Sequence, residues 1–432
     1  MRVDIHAYFR GLYASVTDSE RDRMKANIAN RAAHFLGIAN QDNLLGLKGE
    51  RSTDNRSGDW FQSILTDYIQ TLSSDSEKDP YRGLLWASKK AGRYISGRLK
   101  HEVRHHKLDL AQVEAEISPL FNDYHVHQQP VFLPIGPSGH AVTVIIWGKQ
   151  LIVSNRGSGS QGMPGTTLYN LQSPLSKRQL AELVHTPLQT KDPFLFNLLI
   201  DRLVGDNEPV ARFTLKSQDK KTCGLSNKKA IIGAFHCLFE QNQTRDTVWE
   251  DISSISTTRR QAAIEKQKRF TSWVRNNEIE EMLYTVEHSR SRLCASLNAA
   301  HLAFYINTRA RKWGRSSTAK ASADKRRALY ILQTMESIRG GELNNLFMSC
   351  LTREARCFCV RLKQNQEPEL GAATKRTLEN SRQALMQLLS KPLARNTYPV
   401  SRTNRLACQS ESNDSDYHNR MRNKIRQVLA SN

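Results

Sequence analysis

The sequence predicts an α+β protein: a small β-sheet and one apolar helix, set between longer helical segments. Three observations predict it. Residues 141–155 hold two apolar, β-branched runs around a Gly-Lys dipeptide. Residues 1 to about 120 place apolar side chains at three-to-four spacing. Residues from about 247 to 392 do the same. Four segments follow: a helical region over 1–124, a mixed core over 125–243, a helical bundle over 244–395 and a polar tail over 396–432.

Ile5, Tyr8, Phe9, Leu12 and Tyr13 share one helical stripe, and Met24, Ile28, Ala32 and Phe35 share the next. Trp60, Ile64, Tyr68 and Leu72 repeat the pattern after a polar loop at 49–58. Residues 81–99 are basic and amphipathic. Such faces need a partner surface, so this region is a folded helical region rather than a tail. At Pro130 the character changes to an extended run, Val131 to Pro134. His140 to Trp147 and Gln150 to Asn155 then read as a hairpin, turning at Gly148-Lys149. A Gly/Ser-rich loop fills 156–165, and 171–204 reads as two short helices punctuated by Pro187 and Pro193. Val210 to Leu215 is a strand, and Ala230, Ile231, Ala234, Phe235 and Leu238 mark a helix that starts near Cys223. Beyond 247 the period stays helical. Gly340-Gly341 is a stop signal, and 346–362 and 377–389 complete the bundle.

The net charge of +21 over 432 residues points to acidic partners, with solvated helix faces as the plainer alternative. The hydrophobic fraction of 39% excludes wholesale disorder and collagen-like repeats. The most apolar run, Ala141 to Trp147, is far shorter than the roughly 20 residues of a membrane-spanning helix. The first residues lack the apolar stretch of a secretory signal. Seven cysteines, with no framework spacing, read as those of a reducing compartment.

One constellation carries chemistry. With Gly148 and Lys149 as the turn, paired residue numbers sum to 297, so His140 and Asn155 are diagonal neighbours on one face. Asn155 can then orient the imidazole; two polar strand ends near solvent are the plainer alternative. Cys223 stands where a loop enters a helix, and helix-terminal N–H groups stabilise a thiolate there. A structural cysteine at a helix start is the alternative. Together the three make a Cys-His-Asn arrangement for acyl transfer. Gln218, five residues before Cys223, is placed to donate to an oxyanion.

The order of these pieces resembles the clan CE cysteine proteases. That group includes the adenovirus proteases, the proteases of SUMO and related modifiers, and bacterial effector deubiquitinases. Gly139-His140 with its apolar strand matches the family's histidine strand. Ser154-Asn155 falls at the triad Asp, and Gln218…Thr222-Cys223-Gly224 matches the Gln…Asp-Cys-Gly motif. The match covers residues 130–243, about a quarter of the chain. Asn155 stands where the family usually has Asp, and Ala141 where it often has Trp.

The resemblance implies a papain-like core with a small sheet and central helix, flanked by helical domains. It implies Cys223 as nucleophile, His140 as general base and acid, Asn155 as orienting group and Gln218 as oxyanion donor. No cofactor is implied. The implied partners are ubiquitin or a ubiquitin-like protein and a modified target. The large helical additions resemble the accessory domains of injected bacterial effectors, which implies entry into a host cytosol by a route without a signal peptide. Two alternatives stay open: an acetyltransferase of the same constellation using acetyl-CoA, and a non-catalytic basic helical interaction protein.

Arg309, Arg311, Lys312, Arg315, Lys325, Arg326 and Arg327 form a second candidate, a basic surface for phosphoinositide or nucleic acid. A solvated interhelical loop is the alternative. His101 and His105 lie one helical turn apart without an evident third metal ligand, and His125 and His127 would share a strand face. Cys357 and Cys359 would point to opposite sides of a helix.

Overall fold

The computed structural model describes residues 4–38, 54–136, 141–157, 164–190, 192–215, 223–313, 319–338 and 341–364. Helix α1 (Ile5–Ala14) and helix α2 (Asp18–Arg31) open the chain. Each starts on a side-chain cap: Asp4 accepts from the Ala7 N–H at 3.1 Å, and Thr17 from the Glu20 N–H at 3.3 Å. A single π-turn, Ala32–Leu36, follows α2 and stops at Gly37, whose φ of +69° favours glycine.

Among the described residues five more helices precede the sheet: α3 (Asp54–Thr71), α4 (Asp75–Tyr94), α5 (Gly97–Arg104), α6 (Leu110–Glu116) and α7 (Ser118–His125). Strands β1 (Val131–Ile135), β2 (Val142–Trp147), β3 (Gln150–Asn155) and β4 (Gly165–Asn170) follow, then α8 (Lys177–Gln189), α9 (Pro193–Val204), β5 (Ala211–Thr214) and α10 (Cys223–Asn242). The strands form one antiparallel sheet in the order β1-β2-β3-β4-β5. β1 and β2 read as near-continuous apolar runs because both of their faces are covered. One face, with Leu133, Val144, Ile146 and Leu151, shares a core with Leu180, Leu183 and Val184 of α8 and Phe196 of α9. On the other face Phe132 stacks on Phe61 of α3 at 5.8 Å, and Trp147 on Phe235 of α10 at 5.9 Å.

The hairpin register matches the sequence expectation. Trp147 pairs with Gln150 and Thr143 with Ser154. Gly148 takes φ +57°, which fits a two-residue hairpin turn with glycine first. A buried phenol holds this turn from behind: Tyr124 donates to the Gly148 carbonyl at 2.9 Å and accepts from the Leu175 N–H at 2.9 Å. Residues 247–252 close the same end of the sheet. The Asn170 carboxamide donates to the Ile252 carbonyl at 2.9 Å and accepts its N–H at 3.0 Å.

The remaining helices are α11 (Thr257–His288), α12 (Arg292–Trp313), α13 (Ala319–Ser337), α14 (Glu342–Cys350) and α15 (Arg353–Gln364). The chain divides into two units: Met1–Glu50 with Arg275–Asn432, and Arg51–Val274. The 1–124 region is therefore shared between them. Its first two helices belong with the C-terminal helices because Phe9, Met24 and Ile28 enter one core with Leu293, Leu297, Phe304, Leu332 and Phe347. Its later helices belong with the sheet.

Three local expectations need correction. β4 was not expected; it pairs on both sides, with β3 and β5, so ladder bonds support its polar residues. The stretch 346–362 is not one helix, because Leu351 leaves the helical region with ψ 133°. His125 ends α7 and Val126 caps it, so His125 and His127 share no strand. The stretch 377–389 and the polar tail lie outside the described residues.

Candidate active site at one end of the sheet

Helix α10 packs on β2, β3 and β4. Its seat is partly polar. The Thr166 hydroxyl hydrogen-bonds with Ser154 Oγ at 3.1 Å and with the Ala230 carbonyl at 3.2 Å, all buried. Ser154 and Thr166 are register partners, so both face α10. Such a satisfied network fixes the helix against the strands more narrowly than apolar contact alone.

Cys223 is the first residue of α10. Asn155 is the last residue of β3, half-buried, and its Oδ1 accepts the Gly157 N–H at 3.1 Å as the chain leaves the strand. Strand alternation puts Asn155 on the face opposite Ser154, with Val153 and Leu151. His140, Gln218 and the side chain of Cys223 lie outside the described residues.

A residue the sequence analysis missed joins these elements. Asn227, fully buried, stands one turn after Cys223 on α10. Its Oδ1 accepts the Arg156 N–H at 3.0 Å, and its Nδ2 donates to the Ala141 carbonyl. Ala141 adjoins His140, and Arg156 adjoins Asn155. The start of α10 and the open ends of β2 and β3 therefore meet at one place. A polar signal was present: Ser226-Asn227 interrupts the apolar stripe between Leu225 and Ala230.

The surroundings are basic. Burial pushes the Arg156 guanidinium below its ordinary value. Lys228 and Lys229 are buried in the second turn of α10. Burial raises the Asp59 carboxyl on α3, and Lys228 partly offsets that. Farther along α10, Cys237 is fully buried and its thiol is pushed up to about 12, chiefly by desolvation, so it is packing rather than a reactive group.

The second candidate, the basic stretch on α12 and α13, changes character. Arg309 and Arg327 are buried, not surface charges. Arg327 donates to Asp324 at 2.9 Å, and Arg309 and Arg275 lie 3.7 Å from the same carboxylate. Arg309 also donates to the Leu36 carbonyl at 2.9 Å. These arginines hold α11, α12, α13 and the π-turn together, which removes them from any docking surface. Lys325 is half-buried and Arg326 exposed, whereas Arg315 and the side chains of Arg311 and Lys312 lie outside the described residues.

Among the described residues no helix is long and apolar enough to cross a membrane. No protein-family model matches the chain, and no curated protein matches it. Among solved structures, that of the Legionella effector AnkH is similar, with a TM-score of 0.55 and 16% identity, covering 81% of this chain and 71% of that one. At this identity the likeness is one of fold: an α+β chain with a small antiparallel sheet among helices.

Proposed function

We propose that the chain is a cysteine hydrolase of clan CE type that removes ubiquitin or a ubiquitin-like modifier from target proteins, acting as a bacterial effector inside a host cell. The observation that carries the reading is the convergence at the start of α10. Cys223 opens that helix, and Asn227, one turn on, bonds the residues adjoining His140 and Asn155. The first N–H groups of a helix have no intrahelical partner and suit both a thiolate and a tetrahedral oxyanion. In this mechanism His140 takes the Cys223 proton, the thiolate attacks the carbonyl carbon, and the proton passes to the leaving amine. Water then hydrolyses the thioester. Gln218 donates to the oxyanion, and Asn155 orients the imidazole. The effector role rests on the fold likeness to AnkH and on the helical additions around the sheet.

One observation favours a second reading, a non-catalytic interaction protein. Asn155 spends its Oδ1 on the Gly157 N–H, and alternation places it away from the α10 face. The test separates the readings. Purified protein is incubated with C-terminal electrophile probes of ubiquitin, SUMO and related modifiers, beside Cys223→Ala, and intact mass is recorded. One adduct that needs Cys223 supports the hydrolase and names the modifier. Acetylation of Cys223 from acetyl-CoA without any probe adduct replaces it with an acetyltransferase. Silence in both, with a slow and ordinary Cys223 thiol, favours the interaction protein.

A further inference from the structure

We infer that Asn227 is a positioning residue for the Cys223 site: its carboxamide fixes Ala141 and Arg156, the residues that follow His140 and Asn155 in sequence, against the first turns of α10. The inference rests on the hydrolase reading and adds to it the part that assembles the site. The β2–β3 ladder ends at the pair Thr143 and Ser154, and its register continued two pairs further would set Ala141 opposite Arg156. The Asn227 carboxamide joins these two residues, accepting from the Arg156 N–H and donating to the Ala141 carbonyl. It therefore mimics a peptide unit placed between two strands.

Few side chains can do this. The position is fully buried, so an unpaired amide or carbonyl there is costly. The link needs one acceptor and one donor a short distance apart, which a carboxamide supplies. Leucine has neither, and an ionised aspartate has only acceptors. Position 227 also lies on the same helical stripe as position 223, four residues earlier. One side chain thus sets three backbone positions relative to each other: the start of α10, the residue after His140 and the residue after Asn155.

The test uses the full chain and reads the thiol rather than turnover. Alkylation of Cys223 by iodoacetamide is followed from pH 5 to pH 9 by peptide mass in the wild type, Asn227→Leu, Asn227→Asp, His140→Ala and the double variant His140→Ala/Asn227→Leu. Thermal unfolding shows which variants fold, and Asn227→Asp, which keeps the acceptor, carries the test should Asn227→Leu not fold. The expected wild type reacts well below the ordinary thiol range. At pH 6 each Asn227 variant and His140→Ala reacts at least ~10-fold more slowly, and the double variant no more slowly than His140→Ala. A folded Asn227 variant with the wild-type pH profile overturns the positioning role and leaves the hydrolase reading standing. A wild type with an ordinary thiol profile, unmoved by His140→Ala, overturns both.

Discussion

Tyr305 donates its phenolic hydrogen to Asp324 at 2.8 Å inside a ring of three arginines, Arg275, Arg309 and Arg327. Burial alone would raise the Asp324 carboxyl. Arg309, Arg275, the Tyr305 hydrogen bond and Arg327 outweigh it and hold the carboxyl below its ordinary value. One carboxylate therefore keeps several buried guanidinium groups tolerable. Asp324→Asn preserves the shape and removes the charge. It is expected to cost about 3–5 kcal/mol, as breaking buried ion pairs does. Denaturant unfolding checks this, and a loss under about 1 kcal/mol would show that solvent already screens the cluster.

His236 gives a pH dependence with a definite sign. It is buried, neither ring nitrogen has a hydrogen-bond partner among the described residues, and its ring meets Tyr81 edge-on at 4.6 Å. Burial, with Lys266 adding repulsion, pushes its pKa down to about 3. The unfolded chain takes up this proton near pH 6.5, whereas the folded chain resists it. Stability is therefore full above about pH 6.5 and falls as the pH drops toward 3. The expected loss from this group between pH 7 and pH 5 is about 2 kcal/mol. His236→Phe should flatten the profile in that window, and an unchanged slope in the variant would assign the effect elsewhere.

At the hairpin turn, Gly148→Ala meets two penalties. The backbone holds φ +57°, and an added Cβ would stand 1.9 Å from the Val248 carbonyl oxygen. That oxygen accepts the Lys149 N–H at 3.0 Å, so the segment cannot withdraw without losing a bond. The expected cost is about 2 kcal/mol or more. Lys149→Ala keeps the backbone bond and loses only the ion pair to Asp251, so it should cost under about 1 kcal/mol. Similar melting temperatures for the two variants would contradict the turn assignment.

For the Cys223 site, substitutions should differ by role. On a cleavable conjugate of whichever modifier's probe forms the adduct, Cys223→Ala is expected to abolish turnover and His140→Ala nearly to do so. Asn155→Ala retains part of it, and Asn155→Asp keeps or raises it. Full turnover in Cys223→Ala would end the assignment. Among the described free cysteines, the exposed Cys357 is the thiol to map out in these experiments, because Cys237, Cys350 and Cys359 are buried and raised mainly by desolvation.

The hairpin was legible because its signal is local. Gly148 accepts the positive φ that a two-residue turn requires, and the apolar runs beside it fix the register. β4 was not legible. Of its six residues only Leu168 is a buried aliphatic one, and its place is set by neighbours on both sides that the sequence does not announce. The stripe of Phe9, Met24 and Ile28 showed that a partner surface was needed. Its partner lies more than 250 residues away in Leu293 to Leu332, and periodicity carries no such information. At the candidate site, Cys223 and Asn155 were readable as reactive or orienting types. Asn227 was not, because its role exists only once three separate backbone segments meet.

The discontinuous unit has a consequence for the order in which the protein can be completed. During synthesis, α1 and α2 emerge well before α12 and α13, yet Phe9, Met24 and Ile28 find their core only with those helices, some 270 residues later. The whole sheet-bearing unit is made in between. At ~5–20 residues per second that interval is roughly 15–50 s, during which the first helices carry uncovered apolar surface. A nascent chain of this design offers its N-terminal helices to a chaperone before it offers them to itself.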